Sequence, residues 1–177
     1  MGTDLTKSAQ DTAHTSPVLP ALGRPGVPTI PWLDPATAAG VVDIVQSLAT
    51  GHPEALAVIL FGSVARREER PLDDPQPSDV DLLLLLDPAA FDPAARELTR
   101  EQELALTHTI GEADYRQQSP REIKFVFVSR DLERCDELFI ENVAHEGILL
   151  WARGPLPAPL APVAQRRAVS DLSPTGG

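Results

Sequence analysis

The run Val80-Asp81-Leu82-Leu83-Leu84-Leu85-Leu86, opened by Ser78-Asp79, constrains this chain more than any other stretch. Its unbroken leucines leave neither side of a strand polar, so it reads as a strand buried on both faces of a sheet. Residues i and i+2 of a strand point to the same side, which sets Asp79 and Asp81 side by side at the strand's mouth. Neighbouring carboxylates repel each other and are costly at the edge of a core unless a cation joins them. Mg²⁺ suits that place, because it takes one or two carboxylates and completes its shell with water and substrate phosphates. A second apolar run, Ala57 to Phe61, ends abruptly in Gly62-Ser63. Glycine allows close approach of backbone to a phosphate, and Ser63 offers a hydroxyl and an N–H at the start of a following helix. Together these form a nucleotide-handling constellation. The plainer alternative is a buried hairpin with a polar rim, since rim aspartates need no metal.

Gly62-Ser63, Arg66 and Ser78-Asp79-Val80-Asp81 resemble the signature of the DNA polymerase β nucleotidyltransferase superfamily. The small size resembles its minimal branch, the MNT domains often encoded beside HEPN toxins. The resemblance spans roughly Leu33 to Gly154. It implies an α/β (α+β) nucleotidyltransferase fold, a small mixed β-sheet with flanking helices. It also implies Mg²⁺-dependent transfer of a nucleoside monophosphate, AMP from ATP, onto a hydroxyl. Asp79 and Asp81 would then hold the metal, Gly62 and Ser63 the β- and γ-phosphates, and Arg66 either a phosphate or a structural carboxylate. The likeness to MNT antitoxins implies a protein tyrosine on a HEPN partner as acceptor.

The superfamily draws a third carboxylate from a later strand, and here that position falls on Lys124 of Arg121-Glu122-Ile123-Lys124-Phe125-Val126. Protonated lysine cannot ligate Mg²⁺ and repels it. Glu122, two residues earlier on the same face, is the candidate substitute; otherwise it is an exposed residue at a strand start. Lys124 could instead neutralise the aspartates, leaving a binding module with little turnover. An enzyme resembling aminoglycoside nucleotidyltransferases is a third reading. It is disfavoured because those enzymes carry a further helical domain, whereas this chain ends in a Pro/Ala-rich stretch.

The net charge of −11 argues against non-specific binding to nucleic acid or anionic membrane. The single cysteine, Cys135, excludes an internal disulfide and fits a reducing cytoplasm; its helical spacing marks it as a small core residue. No apolar run reaches the length of a membrane span. The loose myristoylation pattern of Gly2 and Thr6 has no second membrane signal beside it. The four histidines, His14, His52, His108 and His145, lack zinc-ligand spacing.

The domain is expected over residues 33–153, between a flexible leader (1–32) and a flexible tail (154–177). Asp34-Pro35 predicts a helix start, with the helix running to about Thr50 and Ala38, Val41, Val42, Val45 and Leu48 inward. Strands are expected over Ala55–Phe61, Val80–Leu86, Glu122–Val128 and Ile148–Trp151. Further helices are expected over Ser63–Glu69, Pro93–Gly111 and Arg130–Glu146, the last with Leu132, Cys135, Leu138, Phe139 and Val143 inward. Pro71, Pro75 and Pro77 make Arg70–Ser78 a loop, longer than the family's usual gap. Asp87 is expected in a turn and His108 on the surface.

Overall fold

The computed structural model describes residues 30–166. The Gly2/Thr6 pattern, His14, most of the expected leader and the last part of the expected tail lie outside them. The elements are α1 (Pro35–Gly51), β1 (Ala55–Phe61), α2 (Gly62–Arg66), β2 (Val80–Leu86), α3 (Arg100–Gln117), β3 (Ile123–Ser129), α4 (Glu137–Glu146) and β4 (Ile148–Ala152). The strands form one mixed sheet in the order β3-β2-β1-β4. β1 is antiparallel to both β2 and β4, whereas β2 and β3 run parallel. The expected mixed sheet with flanking helices is thus what forms.

Alternation along β2 divides the leucines between two cores. Leu82, Leu84 and Leu86 join Val41, Ile44, Val45, Leu48 and Leu106 on the face covered by α1 and α3. Leu83 and Leu85 face Ile140, Val143, Leu160 and Val163 beneath α4. With both faces dry, the run tolerates no polar residue until its rim, which is where Asp81 stands.

α1 starts as its sequence predicts: the Asp34 carboxylate accepts the N–H of Thr37 at 2.9 Å, with proline following the cap. The other helices are shorter or displaced. α2 stops at Arg66, because Arg67 adopts a left-handed conformation (φ 60°) and its N–H turns back to the carbonyls of Ser63 and Val64. α3 begins at Arg100 rather than Pro93. The Asp92 side chain accepts the N–H groups of Ala94 and Ala95, at 2.8 and 2.7 Å, a local turn that competes with helix. Thr99 then caps the true start, and the helix buries Leu106 and Ala113. α4 likewise begins at Glu137 rather than Arg130. Asp131 folds its carboxylate onto Glu133 N–H, and Asp136 caps the helix instead. Leu138 is consequently exposed, while Leu132 and Cys135 pack from the preceding turn.

The folded body also exceeds the boundaries expected for it. Ile30 and Leu33 are buried, and the Trp32 indole donates to Val64 O at 2.8 Å. Residues 158–165 form a 3-10 helix that buries Leu160 and Val163 against α4, so this part of the expected tail is core. Asp87 caps a short 3-10 turn, His108 is exposed, and the His52 ring is held between Glu54 and Thr109 at 2.8 Å each. Among the described residues no helix is long and apolar enough to cross a membrane.

Arg121 organises the long loop before β2. Its side chain is 5% exposed and pairs with Asp34. Its Nη1 donates to Arg70 O and to Ser78 O, both at 2.9 Å, while Arg70 N–H donates to Ser78 Oγ at 2.8 Å. The two ends of the loop are therefore pinned together immediately before Asp79. Replacing Arg121 by Met strands two carbonyls and one carboxylate. Chemical denaturation should show a loss of about 3 kcal/mol, far more than Arg116→Met, which removes an exposed pair with Asp43.

Candidate functional site

The rim of β1 and β2 brings the Gly-Ser turn and the acidic pair together. Antiparallel pairing sets Phe61 opposite Asp81, so the residue after Phe61 turns directly over the carboxylate. Gly62 has φ +75°, and a Cβ placed there would lie 2.7 Å from Asp81 Oδ2. Both the backbone sign and the missing side chain are therefore required. Ser63 follows at the first turn of α2, with its carbonyl accepting the Glu68 N–H at 2.9 Å.

Asp81 is partly buried, and its carboxyl lies above the usual carboxylate range. Desolvation is the largest cause, followed by the neighbouring Asp79; Glu146 adds to the rise and Lys124 opposes it. This is the signature of a carboxylate crowded by like charge at a dry rim. Parallel pairing of β2 with β3 sets Lys124 beside Asp81, and the ammonium reaches Asp79 Oδ2 at 2.5 Å. That bond and charge raise the Lys124 pKa, so the side chain remains a cation. Glu122 is largely exposed, and its carboxylate lies 3.9 Å from Lys124 Nζ. The lysine thus contacts both Asp79 and the candidate third acid.

Arg66 is engaged by carboxylates: Nε bonds Glu68 and Nη1 bonds Glu146, each at 2.7 Å. Of the two roles open to it in the sequence, this geometry is the salt bridge. Glu146 also accepts the Gly62 N–H at 3.0 Å, and the sequence reading did not single it out. A signal was present: an acid in the last turn of a helix opposes the macrodipole unless something holds it. Cys135 is not part of this site, and burial pushes its thiol pKa up, as for a core residue rather than a nucleophile.

The donor set fits a cation carried in by a phosphate ligand. Two adjacent carboxylates suffice for Mg²⁺ when phosphates complete its shell, and the cradle at Gly62 adjoins one of them. Among the described residues no group of three or more His, Cys, Asp or Glu is placed to hold a metal alone.

Two stability outcomes follow. Gly62→Ala should cost about 2 kcal/mol or more in chemical denaturation, combining left-handed strain with the clash at Asp81. Asp81→Asn should raise the melting temperature at neutral pH. A carboxyl whose folded pKa is raised destabilises the folded state above that pKa, so the gain should shrink as pH falls through it. Below the unfolded pKa the gain should vanish.

Comparison with known proteins matches residues 44–155 to the model of a family described as "Polymerase beta, Nucleotidyltransferase". No curated protein sequence matches the chain. Solved structures similar to it include a toxin–antitoxin complex with AMP-PNP, 17% identical, covering 70% of this chain and 81% of that one with a TM-score of 0.42. Another is a tri-AMPylated HEPN toxin in complex with its MNT antitoxin from Shewanella oneidensis, 16% identical, covering 64% and 72% with a TM-score of 0.36. A third is the MntA–HepT toxin–antitoxin, 18% identical, covering 64% and 70% with a TM-score of 0.36. With the family model spanning most of the described residues, this chain belongs to the polymerase β nucleotidyltransferase family.

Proposed function

We propose that the rim site binds a nucleoside triphosphate with Mg²⁺ and moves its nucleoside monophosphate, AMP from ATP, onto a hydroxyl of a protein partner. The observation that carries this reading is the pairing of Phe61 with Asp81, which sets the Gly62-Ser63 turn against the acidic pair. Asp79 and Asp81 would hold the ion, and Gly62 and Ser63 would receive the β- and γ-phosphates. When bound, Mg²⁺ would supply positive charge that offsets the triphosphate; the acceptor oxygen bonds the α-phosphorus in line as its bond to the β-phosphate oxygen breaks, releasing pyrophosphate and the hydroxyl proton. The acceptor suggested by the resemblance to MNT domains is a tyrosine of a HEPN-type protein, and the free thiol of Cys135 suits a cytoplasmic setting.

Lys124 favours a second reading, a binding module with little turnover. Its ammonium holds Asp79 at 2.5 Å, in the place where the family supplies a third acid. The pair is solvent-exposed on both sides, with Lys124 50% and Asp79 34% exposed. Such pairs are weak, so an entering Mg²⁺ ion can displace the ammonium. A protonated lysine nevertheless offers the acceptor hydroxyl no base. Ligand binding is therefore more strongly supported than rapid transfer.

Labelled ATP, Mg²⁺ and the product of the gene neighbouring this chain's, tested as a HEPN-type acceptor, separate the two readings. Label should pass to the partner, and Asp79→Asn/Asp81→Asn should reduce it by about 100-fold or more. Lys124→Asp should speed transfer by about tenfold or more if the missing acid limits the rate. Partner binding without label, in wild type and Lys124→Asp alike, would leave only the binding module.

A further inference from the structure

Glu146 ends α4, yet both of its carboxylate oxygens are spent on α2. Oε1 accepts the Gly62 N–H at 3.0 Å, and Oε2 accepts from Arg66 Nη1 at 2.7 Å. The side chain is only 16% exposed. One carboxylate therefore grips α2 at both its first and its last residue.

The two sides of this link differ in rigidity. α4 is anchored through Ile140 and Val143 in the core. Its end is fixed by Gly147, where an added Cβ would lie 2.5 Å from Val143 O and 2.9 Å from Ile59 Cγ2. α2 spans only Gly62–Arg66, too short to hold its shape by helix propensity. Gly62, at φ +75°, has no side chain with which to anchor itself. The turn therefore depends on groups outside it, and Glu146 is the one that touches both its ends.

We propose that Glu146 is a positioning residue that braces the Gly62–Arg66 turn against the end of α4, holding it in the form that receives a polyphosphate. This deepens the nucleotide reading above and rests on it. Glu146 does not touch the reacting atoms; it acts through the Gly62 backbone and Arg66. Arg66, pulled between Glu68 and Glu146, is the second anchor of the same brace.

Two measurements test this. Amide hydrogen exchange at Gly62 should be slow in wild type and in Glu146→Gln, which keeps an acceptor oxygen, and at least about tenfold faster in Glu146→Ala. Calorimetric titration with Mg²⁺ and β,γ-imido-ATP should show binding weakened about tenfold in Glu146→Ala. Titration with AMP should show no change, because AMP lacks the phosphates the turn receives. Glu146→Gln should recover much of the ATP-analogue affinity. Equal weakening for both nucleotides would mean general damage and overturn the proposal, as would unchanged binding. Tighter binding of the analogue would instead make Glu146 an obstruction on the turn amide, which also overturns it. If Glu146→Ala does not fold, Arg66→Met carries the test, with selective loss of analogue binding expected. Should wild type bind neither nucleotide, the site reading fails, and Gly62 exchange alone decides the brace.

Discussion

The constraint on which the site depends is between a carboxylate and a backbone. Asp81 Oδ2 lies where a side chain at residue 62 would begin, so the chain can turn over β2 only through a glycine of positive φ. This approach is set by the antiparallel pairing of β1 with β2, which runs in continuous register from Ala57 opposite Leu85 to Phe61 opposite Asp81. A slip of one residue would send each leucine to the opposite core and part the Gly62 turn from Asp81. The two-sided core beneath β2 therefore fixes the rim geometry, and the chemistry of the rim is a consequence of packing several residues away.

Charge at the rim is balanced rather than neutral. Asp79, Asp81 and Glu146 gather at one end of the sheet, with Lys124 on the first and Arg66 on the last. Asp81 has no ion-pair partner of its own among the described residues, and its carboxyl pKa is raised. The Lys124–Asp79 pair is largely solvent-facing, and pairs of that kind contribute little to stability, whereas the Glu146 side chain is only 16% exposed. Their importance is in orientation: Lys124 holds the Asp79 carboxylate, and Glu146 bonds both ends of the Gly62–Arg66 turn.

The elements that carry this site are tied from outside by single polar side chains. Arg121 closes the neck of the 70–78 loop through the carbonyls of Arg70 and Ser78, which fixes where the chain enters β2. The Trp32 indole donates to Val64 O, and Arg67 stacks over its ring at 4.4 Å. Residues before the first helix thus help to hold α2. An extended loop that looks like solvent-exposed slack in the sequence is, at its base, closed and buried.

Local chemistry made much of this legible in advance. The leucine run forced a central strand, Asp34-Pro35 forced a helix start, and Gly-Ser against Asp-x-Asp pointed to the rim where they meet. Helix starts were misplaced where two capping residues compete, Asp92 with Thr99 and Asp131 with Asp136, because only packing decides between them. The 3-10 segment carrying Leu160 and Val163 looked like a tail, since its Pro-rich composition hides that α4 leaves an apolar face for it. What the sequence by itself determined was the pair of strands and the residue types at their mouths, through periodicity and backbone sterics. Only the tertiary structure decided that Lys124 holds Asp79 and that Glu146 holds Gly62, because those partners lie 45 and 84 residues apart. No local rule spans such distances; strand register and the docking of α4 do.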